Sequence, residues 1–287
     1  MEKSISKKYK LIVFIAIVLV LIYGVYSIMS VSYIPAQLYL ESGTVLVNNK
    51  QVHKSITLSE NDIVETKEGT ATVFIYESIV ILVEPNTKIS ISDLTKSHPR
   101  INQQQGTTWS QFTKLAGVED YTVTEGNNRA SVRGTGFELS ENKVMTGLGV
   151  VDYSFNSNQF SVYENRVIDN GAERATTPLE RARIENNLKL AIKQLQQIRQ
   201  KEIDMHPILV GILTKTIIGK IIERNEKGEI VSERTASKRE IEEYISRADK
   251  GEYNVDEITA KIPIKVGFVQ KVADLTKEIQ RLQKIIA

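Results

Sequence analysis

The sequence predicts a mainly β protein with an N-terminal transmembrane helix and a C-terminal α-helical region. Three observations predict it. One long apolar run lies near the start, a series of short β-branched runs separated by turn residues follows, and helical spacing takes over after Thr177-Pro178.

The apolar run covers residues 11–28 and reads LIVFIAIVLVLIYGVYSI, without a charge. At about 1.5 Å per residue, a helix of that length roughly crosses a bilayer core of about 30 Å. The expected span is 11–29, leaving a short cytoplasmic tail of residues 1–10. Lys3, Lys7, Lys8 and Lys10 lie in that tail, which places the N-terminus in the cytoplasm and the rest of the chain outside it. Tyr23 and Tyr26 suit the interface at one end. A cleaved signal peptide is the alternative and fits the basic start equally well. The run is long for an h-region, and no A-x-A site follows it. The expected location is the cell membrane, with a single pass.

The chain has 287 residues, 41% apolar and 25% charged, a composition suited to a folded protein. The formal charge is +2, but the basic tail supplies it, and the remainder is close to neutral. No basic patch is left to track a phosphate backbone, so nucleic acid is not an expected partner. The absence of cysteine excludes disulfides, thiolate nucleophiles and cysteine-based metal sites.

Residues 36–168 read as all-β. TVLV at 44–47, TATVFIY at 70–76, SIVILV at 78–83 and KISISD at 88–93 come first. YTVT at 121–124, ASVR at 130–133, GFEL at 136–139 and GVVDYSF at 149–155 follow. The turns fall at Glu84-Pro85-Asn86, Glu125-Gly126-Asn127 and Ser140-Glu141-Asn142. Ala71, Val73 and Ile75 share one face, as do Ile89 and Ile91. Strands this short and closely spaced favour a sandwich, barrel or solenoid. The more polar stretch 94–120 is expected to contain a longer loop, with Trp109 and Phe112 as local core.

Residues 178–287 form the expected helical domain. Thr177 is placed to cap a helix opened by Pro178. Ile184, Leu188, Ala191, Leu195 and Ile198 make one apolar seam, interrupted at Glu202 and resumed at Met205 before Pro207. A second helix is expected over 208–224, a short one from Ser237 to Arg247, and irregular chain over 251–263. Phe268, Val272, Leu275, Ile279, Leu282 and Ile286 make a second seam on the last helix. The heptad-like seams at 184–198 and 268–286 are able to pack within one chain as a bundle or between chains as a coiled coil of a homo-oligomer.

The segment 130–139, ASVRGTGFEL, resembles the hallmark of the FecR domain family, A-x-V-R-G-T-x-F-x-V. Upstream, Gly43, LSENDIVET at 58–66, Gly69-Thr70-Ala71, Leu82 with Pro85-Asn86-Thr87, GTTW at 106–109, and Tyr121, Val123 and Thr124 extend the resemblance over about 41–163. The resemblance implies an extracytoplasmic β-rich domain, a twisted β-solenoid or jelly-roll-like fold. The chain departs from the family at Asn61, where Gly is usual, and at Leu139, where Val is usual. Asn also accepts unusual backbone angles. Family members that regulate transport signalling carry a cytoplasmic region that binds a sigma factor. The ten residues before the apolar run are too few to fold as one.

Within the hallmark, Gly134 is expected to serve a tight turn or close backbone approach. Thr135 is expected to satisfy a turn amide. Val132 and Phe137 are expected to point inward, as part of a mainly structural motif with Ala130. Arg133 is the candidate ligand contact. His53, His98 and His206 show no metal-ligand spacing, and Asp62, Asp93 and Asp120 no paired-carboxylate logic. No catalytic residue, metal or cofactor is therefore expected. The expected function is a membrane-anchored, non-catalytic binding or scaffold module of the cell envelope, contacting an envelope protein or glycan. The alternative is a receptor that signals through a separate cytoplasmic partner.

Overall fold

The computed structural model describes residues 35–115, 117–217, 220–224, 227, 230–260, 262 and 267–286. The expected transmembrane span at 11–29 lies outside them. Among the described residues no helix is long and apolar enough to cross a membrane.

Eighteen strands run from Ala36 to Ala175: β1 (Ala36–Ser42), β2 (Val45–Val47), β3 (Lys50–Gln51), β4 (Ile56–Thr57), β5 (Ile63–Thr66), β6 (Thr70–Ile75), β7 (Ile79–Val83), β8 (Lys88–Asp93) and β9 (Arg100–Gln105) form the first half. The second half is β10 (Thr107–Phe112), β11 (Tyr121–Glu125), β12 (Asn128–Val132), β13 (Gly136–Ser140), β14 (Lys143–Leu148), β15 (Val150–Phe155), β16 (Asn158–Tyr163), β17 (Arg166–Asp169) and β18 (Ala172–Ala175). They make two nine-stranded sheets. One has the order β18-β17-β14-β13-β10-β7-β6-β1-β4, and the other β16-β15-β12-β11-β9-β8-β5-β2-β3. The chain lays hairpins alternately on the two sheets. Strand pairs are antiparallel apart from β9 and β11, which run parallel.

The turn residues do what their chemistry allows. Asn86, Gly126 and Asn142 sit at φ 57°, 55° and 56° in the three turns read from the sequence. Asn61 sits at φ 68°, in the backbone region that favours glycine and that asparagine also accepts. A core between the sheets takes Ala71, Val73, Ile75, Ile89 and Ile91, the residues whose alternation marked an inward face.

The first sheet is buried on both faces. Its outer face contributes Phe74, Val80, Leu82, Trp109 and Met145 to a second core, shared with the helices. That is why β7 reads as a continuous apolar run. The stretch expected to hold a longer loop has one at 113–120, but it also contains β9 and β10, and β10 is central. Polar side chains on it find buried partners: Thr108 donates to Gln103 at 2.7 Å, and Ser110 lies 3.3 Å from the Tyr121 hydroxyl. Trp109 and Phe112 are fully buried on its opposite faces.

Helix α1 (Pro178–Met205) carries the expected cap: Thr177 Oγ1 accepts from Glu180 N at 3.2 Å, and Glu180 accepts from Thr177 N at 2.8 Å. It lies across the first sheet, from Lys143 on β14, which bonds Glu180, to Gln37 on β1, which bonds Lys201. Helix α2 (Pro207–Ile217) ends earlier than the periodicity suggests. Residues 220–224 do not continue it: β19 (Lys220–Arg224) pairs antiparallel with β20 (Ile230–Thr235). Ile221 and Ile222 fit either period locally, and the strand that decides lies beyond a turn. Helix α3 (Lys238–Asp249) is capped by Ser237 as expected. A short helix, α4 (Val255–Ala260), occupies part of the stretch expected to be irregular.

Helix α5 (Gly267–Ile286) packs along α1. Both apolar seams are spent within the chain: Ile184, Leu188, Leu195 and Ile198 meet Leu275, Ile279 and Leu282 over the sheet. The seam of α1 is not resumed at Met205, which is 53% exposed. The architecture is a β-sandwich with a helical layer on one outer face.

Candidate functional site

The hallmark segment forms the crossing from β12 to β13, from one sheet to the other. Val132 and Phe137 enter the core between the sheets, as their positions imply. Ala130 joins them. Gly134 sits at φ 85°, and a Cβ there would meet nothing within 4 Å. Backbone conformation alone, rather than a close approach, explains the glycine. Thr135 differs from expectation. Its hydroxyl donates to the Val150 carbonyl at 3.0 Å, so it clasps the β14–β15 turn instead of satisfying an amide. Its own carbonyl accepts from Phe112 N at 2.9 Å.

With its neighbours fixed this way, Arg133 projects from the turn and is exposed. It lines a groove of about 550 Å³ with Asp120, Ser131, Gly134, Gly149, Val150 and Asp152. Both acids are already held. Asp120 lies 2.8 Å from His98 Nδ1, and Asp152 accepts from Ser161 at 3.3 Å. Arg133 makes no hydrogen bond or ion pair among the described residues. A guanidinium with its five donors uncommitted is suited to a carboxylate or to sugar hydroxyls.

The other residues singled out in the sequence do not converge. Asp62 accepts from Asn48 and from Ser59 N, each at 2.7 Å, and Asp93 accepts from Thr95 N at 2.7 Å. Those carboxylates hold turns. His53 is exposed, and His206 Nδ1 lies 3.0 Å from the Glu202 carbonyl, its ring against Phe268. Among the described residues no group of three or more metal-ligating side chains forms.

A second set of charged groups escaped the sequence. Glu202, which interrupts the α1 seam, is buried and bonded to the equally buried Lys271 at 2.6 Å. Glu77, in the β6–β7 turn, also pairs with Lys271. Burial pushes the Glu77 carboxyl up, and Lys271 opposes that shift. Glu138 on β13 is likewise pushed up by burial, opposed by Arg183, whose Nε is 2.6 Å away. Arg199 and Asp249 form a buried pair, with Nη2 to Oδ2 at 2.8 Å. These groups brace helix to sheet and helix to helix. Of these, Glu202 is the one that sequence marks, as a charge in an apolar seam.

No family model matches the chain, nor does any of the curated proteins compared with it. Two similar solved structures are both described as crystal structures of "a putative anti-sigma factor" from Parabacteroides distasonis. One is 12% identical with a TM-score of 0.35, over 40% of this chain and 59% of that one. The other is 10% identical with a TM-score of 0.35, over 60% of this chain and 97% of that one. The chain thus spans about three-fifths of the length of the first. Both likenesses are weak and assign no activity.

Proposed function

We propose that the chain is a membrane-anchored binding module of the cell envelope, with a FecR-like sandwich outside the cytoplasm that takes its partner at the Arg133 groove. The supporting observation is a guanidinium without a hydrogen bond or ion pair among the described residues, on the lip of a polar groove in which Asp120 is held by His98. The hallmark residues support the family reading: three are core, one is a positive-φ glycine, and one clasps the adjoining turn. The winding of hairpins over two sheets supports a solenoid-like description of that domain. A partner of mixed polarity, an envelope protein or glycan presenting a carboxylate or hydroxyl pair, fits the groove.

The test is crosslinking in intact membranes from a photoreactive residue at position 131. Wild type is expected to capture an envelope protein or glycan, and Arg133→Ala is expected to abolish capture while leaving the melting temperature unchanged. Equal capture by the two proteins would remove the groove from the function.

A further inference from the structure

The helices leave a space among them that the described residues do not fill. Its volume is about 160 Å³, and its walls include Ile203, Leu213, Tyr244, Ile258, Phe268 and Val272. An engineered apolar cavity of about 150 Å³ stays dry and takes up small apolar molecules. Of the polar side chains on this wall, the Tyr244 ring stacks on Tyr253 and the others are already occupied. Arg199 donates to Asp249 and Thr276, and Thr214, Thr259 and Thr276 each donate to a carbonyl of their own helix. An occupant is therefore asked for no hydrogen bond, only for aliphatic surface.

The position of the cavity says where such an occupant comes from. Ile203 follows Glu202 directly, and Phe268 and Val272 flank Lys271. Glu202 and Lys271 join Glu77, and the amide of the adjacent Tyr76 donates to the Pro35 carbonyl at 3.0 Å. One wall of the cavity thus lies beside the charged cluster next to Pro35, the first described residue after the apolar run. Seven residues separate Ile28 from Ala36, a reach of about 25 Å at full extension. Met205, more than half exposed, stands at the same end.

We infer that this cavity takes an aliphatic chain of a membrane lipid, so that the helical layer holds the bilayer at a second point. The inference rests on residues 11–28 being the anchor. A lipid chain, as occupant, needs no polar match and lies within reach of the site by tether alone.

The full chain in phosphatidylcholine vesicles, with a diazirine near the end of one acyl chain, tests it. Illumination followed by peptide mapping is expected to label both residues 11–28 and peptides from α2, α3 and α5. Ala248→Phe, which fills the cavity from α3, is expected to reduce helical-layer labelling to background and to leave labelling of 11–28 intact. Val272→Phe fills it from the opposite wall and supplies the same comparison should Ala248→Phe fold poorly. Labelling of 11–28 alone overturns the inference and keeps the anchor. Labelling of the helical layer alone overturns the anchor, and with it the inference that the layer is a second point of attachment. Labelling of neither overturns both, and labelling of the layer that survives both substitutions overturns the cavity as its place.

Discussion

The sandwich and the helical layer are held by different means. Between the sheets the core is almost wholly aliphatic and aromatic, from Leu38 through Val73 and Ile91 to Phe137 and Tyr153. The helical layer also has an apolar seam, but its fit depends on buried charges: Lys271 with Glu202 and Glu77, and Arg199 with Asp249. Apolar surface is non-directional and tolerates small shifts, whereas a buried ion pair demands one geometry and is costly when broken. The sandwich is thus secured by quantity of contact, and the layer is indexed onto it by a few specific pairs.

The comparison is broken most severely at Arg199. Arg199→Met leaves Asp249 buried without its partner and is expected to cost about 3–5 kcal/mol in chemical denaturation. Adding Asp249→Leu is expected to return most of that loss. If the single and double variants are equally unstable, packing rather than pairing places the layer. A smaller effect is expected at Gly147, where a Cβ would stand 2.6 Å from Ile184 on α1 and from Trp109. Gly147→Ala should cost about 1–3 kcal/mol by overpacking. Proteolysis should then release the helical layer before the sandwich; simultaneous cleavage would mean that the two regions unfold as one.

The smallest effect concerns pH. Hydrogen bonds from Arg174 hold the Glu180 carboxyl far below its ordinary range, helped by Lys143 and the Thr177 amide and opposed by burial. A depressed carboxyl contributes stability above its unfolded value and loses it as pH falls through the folded value. The first turn of α1 is therefore expected to exchange its amide hydrogens faster in acid than the sheets do. Glu180→Gln should remove that pH dependence; an unchanged acid response would place its origin elsewhere.

Much of this was legible in local pattern. The strands, their turns, the capped starts of α1 and α3, and both apolar seams follow from period and from residues with fixed backbone preferences. Illegible features depend on partners distant in sequence. β10 looks polar because Thr108 and Ser110 are satisfied by Gln103 and Tyr121 from other strands. β19 has helical as well as strand character until β20 pairs with it. Glu202 looks like a break in a seam until Lys271, on another helix, supplies its counter-charge. In the candidate site the turn and the inward residues were readable from the hallmark. The groove was not, because Asp120 and Asp152 come to line it with Arg133 only through the pairing of distant strands.

Helix α1 has one further consequence. Strands join each sheet nearly in chain order, so the sandwich grows in one direction and nothing within it says where to stop. A helix of 28 residues is about 42 Å long, close to the width of nine strands at roughly 4.8 Å apiece. It starts beside the last rungs, at Lys143 and Arg174, and finishes on the first, at Gln37 and Tyr39. α1 therefore serves as a ruler: inserting or deleting a hairpin would leave one of its ends without a strand to grip, and the number of rungs is written in the length of a helix made after all of them.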